Sequence, residues 1–348
     1  MIKLAIVGTG GMANAHANAF KEIPGCTLVA GVDVNGERAR EFCARHGIPA
    51  AYGSVEELLK QCDFDAASVV TPDRFHVSCA LPLVKAGKHV LCEKPIAPTA
   101  PEGFKLVKAA EQAGIVNMIN FSYRNSAALH AAHDLVARGT LGRIMHFEAH
   151  YLQTWLTAPL WGDWRTTPAW LWRLSTAHGS KGALGDIGVH IVDLATYAAN
   201  EGVTSLNAQL KTFPKAKGDR IGEYVLDAND SAYLRVGLAG GGMGVISTTR
   251  WATGQPNSLA LVLYGDKGGL RLDLDKSSTQ LEVCRGKDAA RAQWKTLACR
   301  QTPNMYARFI RGIKSGKNDP SDFRRGWEVQ KILDACFVSD KGGKTVRL

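Results

Sequence analysis

The sequence predicts a two-domain α/β protein: a doubly wound parallel sheet over residues 1–122, then an α+β domain over residues 123–348 built on one large, mostly antiparallel open sheet. Three observations carry this. The chain has 348 residues, more than a single core of ordinary size organises. Its first 120 residues alternate short β-branched runs with helix-length segments. Beyond about residue 141 the runs lengthen and are joined by short glycine turns.

In the first part, Leu4 to Val7, Thr27 to Val32, Ala67 to Val70, Val90 to Cys92 and Val116 to Ile119 read as strands. They are apolar throughout rather than alternating, as strands of a parallel sheet covered on both faces must be. In the second part the strands are Arg143 to Gln153, Ser231 to Gly237, Gly244 to Arg250 and Leu259 to Tyr264. Gly237 to Gly244 and Gly265-Asp266-Lys267-Gly268-Gly269 read as hairpin turns, and helices are expected over only one face of the sheet. The boundary falls near residues 120–125.

Composition narrows the function classes. Hydrophobic residues make up 45% and charged residues 21%, as in soluble globular proteins. The formal charge of +10 would suit a nucleic-acid partner, but its distribution does not. Residues 1–120 hold 12 basic and 12 acidic residues, so the remaining 30 basic and 20 acidic residues put the whole excess in the second part, scattered and without a basic-aromatic motif. Solvated faces or a field attracting an anionic substrate account for it, and no nucleic-acid partner is expected. The eight cysteines show no C-x-x-C pair and no metal-type spacing, so no metal site is expected and a reducing compartment is. No run of 18 apolar residues occurs, and Met1 to Val7 leads directly into a glycine turn. No membrane span or signal peptide, and a cytoplasmic location, are the corresponding expectations.

Gly8-Thr9-Gly10-Gly11-Met12-Ala13 follows the first strand and opens a helix, matching the dinucleotide fingerprint G-x-G-x-x-[GA]. Gly8 permits the tight turn, Gly10 lets the backbone approach a pyrophosphate, and Ala13 keeps the helix close to the sheet. Asp33 ends the second strand where a ribose-binding acid belongs, which favours NAD, with NADP possible. Arg38, five residues on, reads either as an exposed helix arginine or as a 2′-phosphate ligand. Gly8, Gly10, Gly11, Met12, Asp33, Val34 and Arg38 are thus the cofactor candidates of this region.

Three further segments follow in order: Thr71-Pro72-Asp73-Arg74-Phe75-His76, Gly87-Lys88-His89-Val90-Leu91-Cys92-Glu93-Lys94-Pro95, and Gly185-Asp186-Ile187-Gly188-Val189-His190-Ile191-Val192-Asp193. With the fingerprint, they resemble the glucose-fructose oxidoreductase, inositol dehydrogenase and rhizopine catabolism (Gfo/Idh/MocA) family over nearly the whole chain. The Glu93-Lys94-Pro95 triplet is the most specific mark. The resemblance implies a Rossmann domain, a second domain whose open sheet lies largely in subunit interfaces of a homodimer or homotetramer, and an active site between the two. It implies an NAD(P)-dependent dehydrogenase acting on a sugar or polyol. Proton transfer maps onto Lys94, and substrate contact onto Asp186 and His190. Rival activities are an NAD-dependent glycosidase that oxidises its sugar transiently, and a nucleotide-sensing regulator without chemistry.

The residues support these roles independently. Lys94 lies past the C-terminal end of a strand, where open α/β sheets place ligands, and Pro95 restricts it to an extended backbone. Partial burial lowers a lysine's pKa and suits it to exchange a proton with an alcohol or ketone. Glu93 reads as a partner that orients this turn or the nicotinamide ribose, and the family resemblance implies a cis bond before Pro95. Asp186 and His190, four apart in a stretch expected to be helical, share one face and can grip one sugar. Asp193 extends that face, for structure or for substrate. Thr71, Pro72 and His76 are assigned to the cofactor side, with capping of the next helix the plainer role for His76. Asn120 is a further cofactor candidate. Arg124 faces nicotinamide or substrate, or makes an interdomain salt bridge. Trp155, Trp161, Trp164, Trp170 and Trp172 crowd one stretch; most should pack, while Trp164 and Arg165 are candidates for cofactor and substrate contact. Arg165 and Arg173 are available to an acidic substrate.

Overall fold

The computed structural model describes residues 1–348, the side chain of Ala169 excepted. Two compact units organise the chain: Met1–Ser122 with Pro303–Gln330, and Tyr123–Thr302 with Lys331–Leu348. A single cut near residue 122 takes no account of that return.

In the first unit, β1 (Ile2–Val7), β2 (Cys26–Val32), β3 (Ala50–Tyr52), β4 (Ala66–Val69), β5 (His89–Cys92) and β6 (Asn117–Ile119) form one sheet in the order β3-β2-β1-β4-β5-β6. Every pairing is parallel. The strands are buried on both faces: Leu4, Ala5, Ile6 and Val7 are at most 1% exposed. β3 escaped the sequence reading because its three residues are only half-buried and make no apolar run. The helices are α1 (Gly11–Lys21), α2 (Gly36–His46), α3 (Val55–Gln61), α4 (His76–Lys85) and α5 (Ala100–Ala113). Strand order reverses between β1 and β4, and the loops leaving those two strands carry Gly8 and Thr71. Such a switch point opens a crevice at the C-terminal strand ends. The late helix α9 (Met305–Ser315) buries Met305, Phe309 and Ile310 in the same core as Leu4, Ile6 and Phe20, which ties the returning segment to this unit.

The second unit contains α6 (Ala127–Ala137), β7 (Ile144–Gln153), α7 (Pro168–Leu171), α8 (Val189–Ala199), β8 (Val203–Lys211) and a short ribbon of β9 (Arg220–Ile221) with β10 (Tyr224–Val225). There follow β11 (Ser231–Leu238), β12 (Met243–Thr249), β13 (Asn257–Gly265), β14 (Gly268–Asp273), β15 (Gln280–Arg285) and β16 (Lys295–Ala298). Next come α9 (Met305–Ser315), which belongs to the first unit, α10 (Phe323–Gly342) and β17 (Val346–Arg347). Nine strands make one sheet, β16-β15-β14-β13-β7-β12-β11-β8-β17. Only β12 with β7 is parallel; the other pairs are antiparallel. Gly265 pairs with Gly268 across a two-residue turn, as the glycine pattern required. α8 packs against β7, β12 and β13, and α6 against β14 and β15. Their face of the sheet takes Phe147, Ile246, Leu234 and Leu261, all at most 2% exposed. Gly244 lies beside Phe147 because a Cβ there would sit 2.3 Å from its ring. The alternate positions, including Tyr233, Met243, Val245 and Tyr264, are exposed.

Candidate active site

The first unit gathers the fingerprint, Asp33 and the Glu93-Lys94-Pro95 triplet at the C-terminal ends of its strands. Gly8 has φ +90°, and a Cβ on it would lie 2.8 Å from the Val70 carbonyl oxygen, so only glycine fits. A Cβ on Gly10 or Gly11 would meet nothing within 4 Å. Behind them α1 begins without a side-chain cap, leaving amides and positive dipole end toward that open space. Ala13 is fully buried, as its assigned packing role demands. Met12 and Val34 are exposed, 55% and 92%.

Asp33 is the surprise of this region. Its Oδ2 accepts from the Thr9 amide and hydroxyl, each at 2.9 Å, and its Oδ1 from the Asn35 amide at 2.9 Å. Arg38 adds a bidentate pair, Nε to Oδ2 at 3.0 Å and Nη2 to Oδ1 at 2.6 Å. Burial works to raise the Asp33 pKa, but the hydrogen bonds from Arg38, Thr9 and Asn35 prevail and lower it. Arg38 is a half-exposed helix arginine but not an idle one: it pairs with the carboxylate assigned to ribose. The glycine turn and open helix end fit a dinucleotide's pyrophosphate, and a ribose at Asp33 would meet Arg38 already bound there.

Glu93 turns inward. Its Oε1 accepts from His16 Nε2 at 2.9 Å and from Asn120 Nδ2 at 2.6 Å, and its Oε2 lies 3.3 Å from the Lys94 amide nitrogen. His16 Nδ1 is 2.8 Å from the Ser68 hydroxyl. Burial pushes the Glu93 carboxyl pKa up, yet hydrogen bonding and charge from His16, the Lys94 charge and the Asn120 hydrogen bond hold it at about 2. This Ser-His-Glu alignment resembles a nucleophilic triad, but Ser68 and His16 are fully buried, so it serves the interior. Glu93 thus orients the turn that presents Lys94, which is itself half-buried. Asn120, 2% exposed, is committed to Glu93, and the Lys94–Pro95 bond is cis. His76 does not cap α4, whose N-cap residue is Phe75. Its ring instead bridges two carbonyl oxygens, Nδ1 to Pro95 at 2.6 Å and Nε2 to Thr71 at 2.9 Å, and so ties the Thr71-Pro72 loop to the triplet.

The second unit holds Asp186 and His190. The stretch expected as plain α-helix is a π-helix over Leu184–Gly188, and α8 starts at Val189. Such wide turns recur where a helix must redirect a functional side chain. Asp186, 29% exposed, accepts from Arg250 Nη2 at 2.9 Å and lies 3.7 Å from Arg173 Nε. Arg250 is fully buried and also donates to the Arg173 and Gly182 carbonyls. His190, 8% exposed, meets the Tyr123 ring edge-on with centroids 5.0 Å apart, and the Tyr151 ring at 6.3 Å. Tyr123 and Tyr151 hydroxyls are 2.6 Å apart, and Asn257 closes a ring of hydrogen bonds with both.

Two assignments are corrected here. Arg124 is 1% exposed and locked to Asp193, Nε to Oδ2 at 2.7 Å and Nη2 to Oδ1 at 2.6 Å. It stacks over the Tyr197 ring at 3.9 Å, and because Arg124 and Asp193 belong to one unit, the pair braces that unit instead of meeting substrate or bridging domains. Trp164 is 2% exposed, donates to the Leu156 carbonyl at 3.2 Å and packs with Trp155, Leu171 and Leu174. It is core, as apolar aromatics usually are. Arg165 is exposed, over the Trp164 ring and 3.6 Å from Asp163. Arg173 lies over the rings of Trp170 and Trp172. Sequence reasoning missed His16 and Arg250. His16 sits with Ala13, Ala17 and Phe20 on the buried stripe of α1, so the available signal was one polar residue at helical spacing on an apolar face. Nothing local marked Arg250. All eight cysteines are free thiols, and among the described residues no cluster of His, Cys, Asp or Glu is placed to hold a metal and no helix is long and apolar enough to cross a membrane.

A switch-point glycine turn, an acid at the end of β2 and a half-buried lysine after β5 define a dinucleotide-dependent oxidoreductase. Residues 2–121 match the oxidoreductase family with NAD-binding Rossmann fold, and residues 129–271 match the Gfo/Idh/MocA C-terminal domain. The chain belongs to the Gfo/Idh/MocA family. It is 28% identical over 311 residues to levoglucosan dehydrogenase of Pseudarthrobacter phenanthrenivorans, covering 83% of this chain and 77% of that one. D-glucoside 3-dehydrogenase of Escherichia coli is 25% identical, covering 100% of this chain and 97% of the other. Among solved structures, levoglucosan dehydrogenase in complex with NADH superimposes with a TM-score of 0.88 at 25% identity, covering 99% and 98% of the two chains.

Proposed function

We propose that this protein transfers a hydride between NAD(H) and a sugar, polyol or sugar derivative, with Lys94 as the general acid–base and Asp186 and His190 holding the substrate. The observation that carries this reading is the Glu93 carboxylate, which is mostly buried, ionised and bonded to the Lys94 amide, so that the triplet presents its lysine in one orientation. The relatives named above, which act on levoglucosan and D-glucosides, support the substrate class. The bound nicotinamide supplies the hydride acceptor or donor. Lys94 Nζ takes the proton of the reacting hydroxyl as the carbon is oxidised, or returns one to the carbonyl in reduction. Asp186, flanked by two arginines, accepts a hydrogen bond from a neighbouring hydroxyl, and the His190 imidazole holds another or shares the proton with Lys94.

In this reading Met1–Ser122 with the returning Pro303–Gln330 bind NAD, and Tyr123–Thr302 with Lys331–Leu348 bind substrate and make the subunit interface. The exposed side chains Tyr233, Met243, Val245 and Tyr264 on one sheet face support a homodimer or homotetramer joined there. The free thiols support a reducing, cytoplasmic setting. The test is a panel of sugars and polyols incubated with NAD and with NADP and followed by reduced-nicotinamide absorbance. Net reduction is expected with at least one sugar. Cleavage of an aryl glycoside without net reduction, or cofactor binding with neither reaction, would overturn the proposal in favour of a glycosidase or a sensor.

A further inference from the structure

The first unit contains a buried polar relay with no assigned task. His16, on the inner face of α1, links Ser68 at the end of β4 to Glu93 just after β5, and its ring meets the Tyr306 ring edge-on at 4.9 Å. Asn120 beyond β6 donates to Glu93, and its amide nitrogen is 3.4 Å from the Tyr306 hydroxyl. Two side chains thus bond one carboxylate directly, His16 backed by Ser68 and Asn120 beside Tyr306. Burying a carboxylate is unfavourable unless donors replace its water, and a half-satisfied network is worse than an apolar core. An apolar residue at position 16 would match the stripe formed by Ala13, Ala17 and Phe20, so packing alone gives no reason for an imidazole.

Its geometry supplies one. The Ser68 hydroxyl can donate to Nδ1, which leaves the proton on Nε2 to be donated to Glu93 Oε1, while Glu93 Oε2 receives the Lys94 amide. The imidazole therefore fixes the rotamer of Glu93, and Glu93 fixes the backbone from which the Lys94 side chain departs. We propose that His16 is a positioning residue for Lys94, acting through Glu93. This rests on Lys94 being the acid–base group.

Two substitutions separate this from a purely structural role. In His16→Asn the side-chain amide retains the reach of Nδ1 to Ser68 but falls short of Glu93, whereas in His16→Gln it reaches the place of Nε2 and keeps the Glu93 bond. His16→Asn is expected to lower kcat by about tenfold to a hundredfold, with the NADH dissociation constant from fluorescence titration unchanged. His16→Gln should stay within a few-fold of the parent. The groups facing Glu93 are His16 from α1, Lys94 beside it, Tyr306 from α9 and Cys92 from β5. With the histidine link gone, burial is opposed by less, so the acid limb of the kcat profile should move to higher pH in His16→Asn alone. Equal impairment of the two variants, or an unimpaired His16→Asn with an unshifted profile, would overturn the inference. If His16→Asn fails to fold, His16→Gln decides: near-parental kcat and acid limb support the link, and a large kcat loss in soluble, NADH-binding protein refutes it. Lys94→Ala keeps the two readings apart, since retained turnover there sinks the role of Lys94 itself, whatever His16 does.

Discussion

Glu93 and Asp186 are both carboxylates assigned near the chemistry, one in each unit, and they are held by opposite means. Glu93 is stabilised by an imidazole, an amide side chain and a backbone amide; Asp186 is stabilised by two guanidinium groups, one of them fully buried. Hydrogen-bond donors fix direction, because Glu93 Oε1 is committed to His16 and Asn120 and Oε2 to the Lys94 amide. Arginines neutralise charge while leaving Asp186 partly open, 29% exposed, so it retains room to accept from a ligand. The first arrangement builds a rigid support for a neighbour; the second sets a partly exposed carboxylate among cations.

If that contrast is right, the largest effect belongs to the group that Glu93 supports. Lys94→Ala should lower kcat by about a hundredfold to ten-thousandfold while leaving NADH affinity close to the parent's, measured by steady-state kinetics beside fluorescence titration. Unchanged turnover would remove the reason for so elaborate a support. Next in size is a carboxylate of the second unit that has no such opening. Asp193 and Arg124 are 2% and 1% exposed, so Asp193→Asn strands a buried guanidinium and should cost about 3 kcal/mol or more of stability in urea unfolding. A cost near zero would show that the pair is not what braces this unit.

How far these features were readable from the chain depends on whether their cause is local. The fingerprint, the triplet and the Asp186-His190 spacing are short-range patterns, and the glycine at position 8 follows from a backbone requirement that sequence displays directly. Hydrophobic runs likewise revealed five of the first sheet's strands, and hairpin glycines the β13–β14 turn. Arg250 could not be seen, because its partner lies 64 residues away and the meeting is made by packing of the π-helical turn against β12. Arg124 and Trp164 were misassigned for a related reason: motif position says that a side chain is near a site, but burial decides which way it turns. The π-helical turn at Leu184–Gly188 was not readable, since its two glycines mark weak helix propensity without specifying a wider turn.

A smaller effect sharpens the comparison through pH. The Glu93 pKa is held at about 2 against an ordinary 4.5. A depressed carboxyl pKa contributes stability that is fully present above the unfolded value and disappears as pH falls through the folded one. The window is therefore roughly pH 4.5 down to 2, and the contribution is roughly 3 kcal/mol. In urea unfolding at stepped pH, Glu93→Gln should flatten the acid decline across that window. An unaltered decline would mean that the donors around Glu93 do not hold it ionised.

The smallest expected effect concerns Asp33, a third carboxylate that combines both devices: amide and hydroxyl donors from Thr9 and Asn35, and a guanidinium from Arg38. Here the arginine is 52% exposed, so it can leave the carboxylate at little cost when a ligand competes. Arg38→Ala should free Asp33 for the adenosine ribose and strengthen NAD binding by a few-fold, while NADP loses the cation nearest its 2′-phosphate and binds more weakly. Asp33→Ala should do the reverse, weakening NAD more than NADP. Isothermal titration of both cofactors against both variants gives four constants whose ordering decides the matter. If Arg38→Ala weakens NAD and NADP equally, the arginine serves only to hold the loop after β2, and the discrimination between cofactors must come from elsewhere in the first unit.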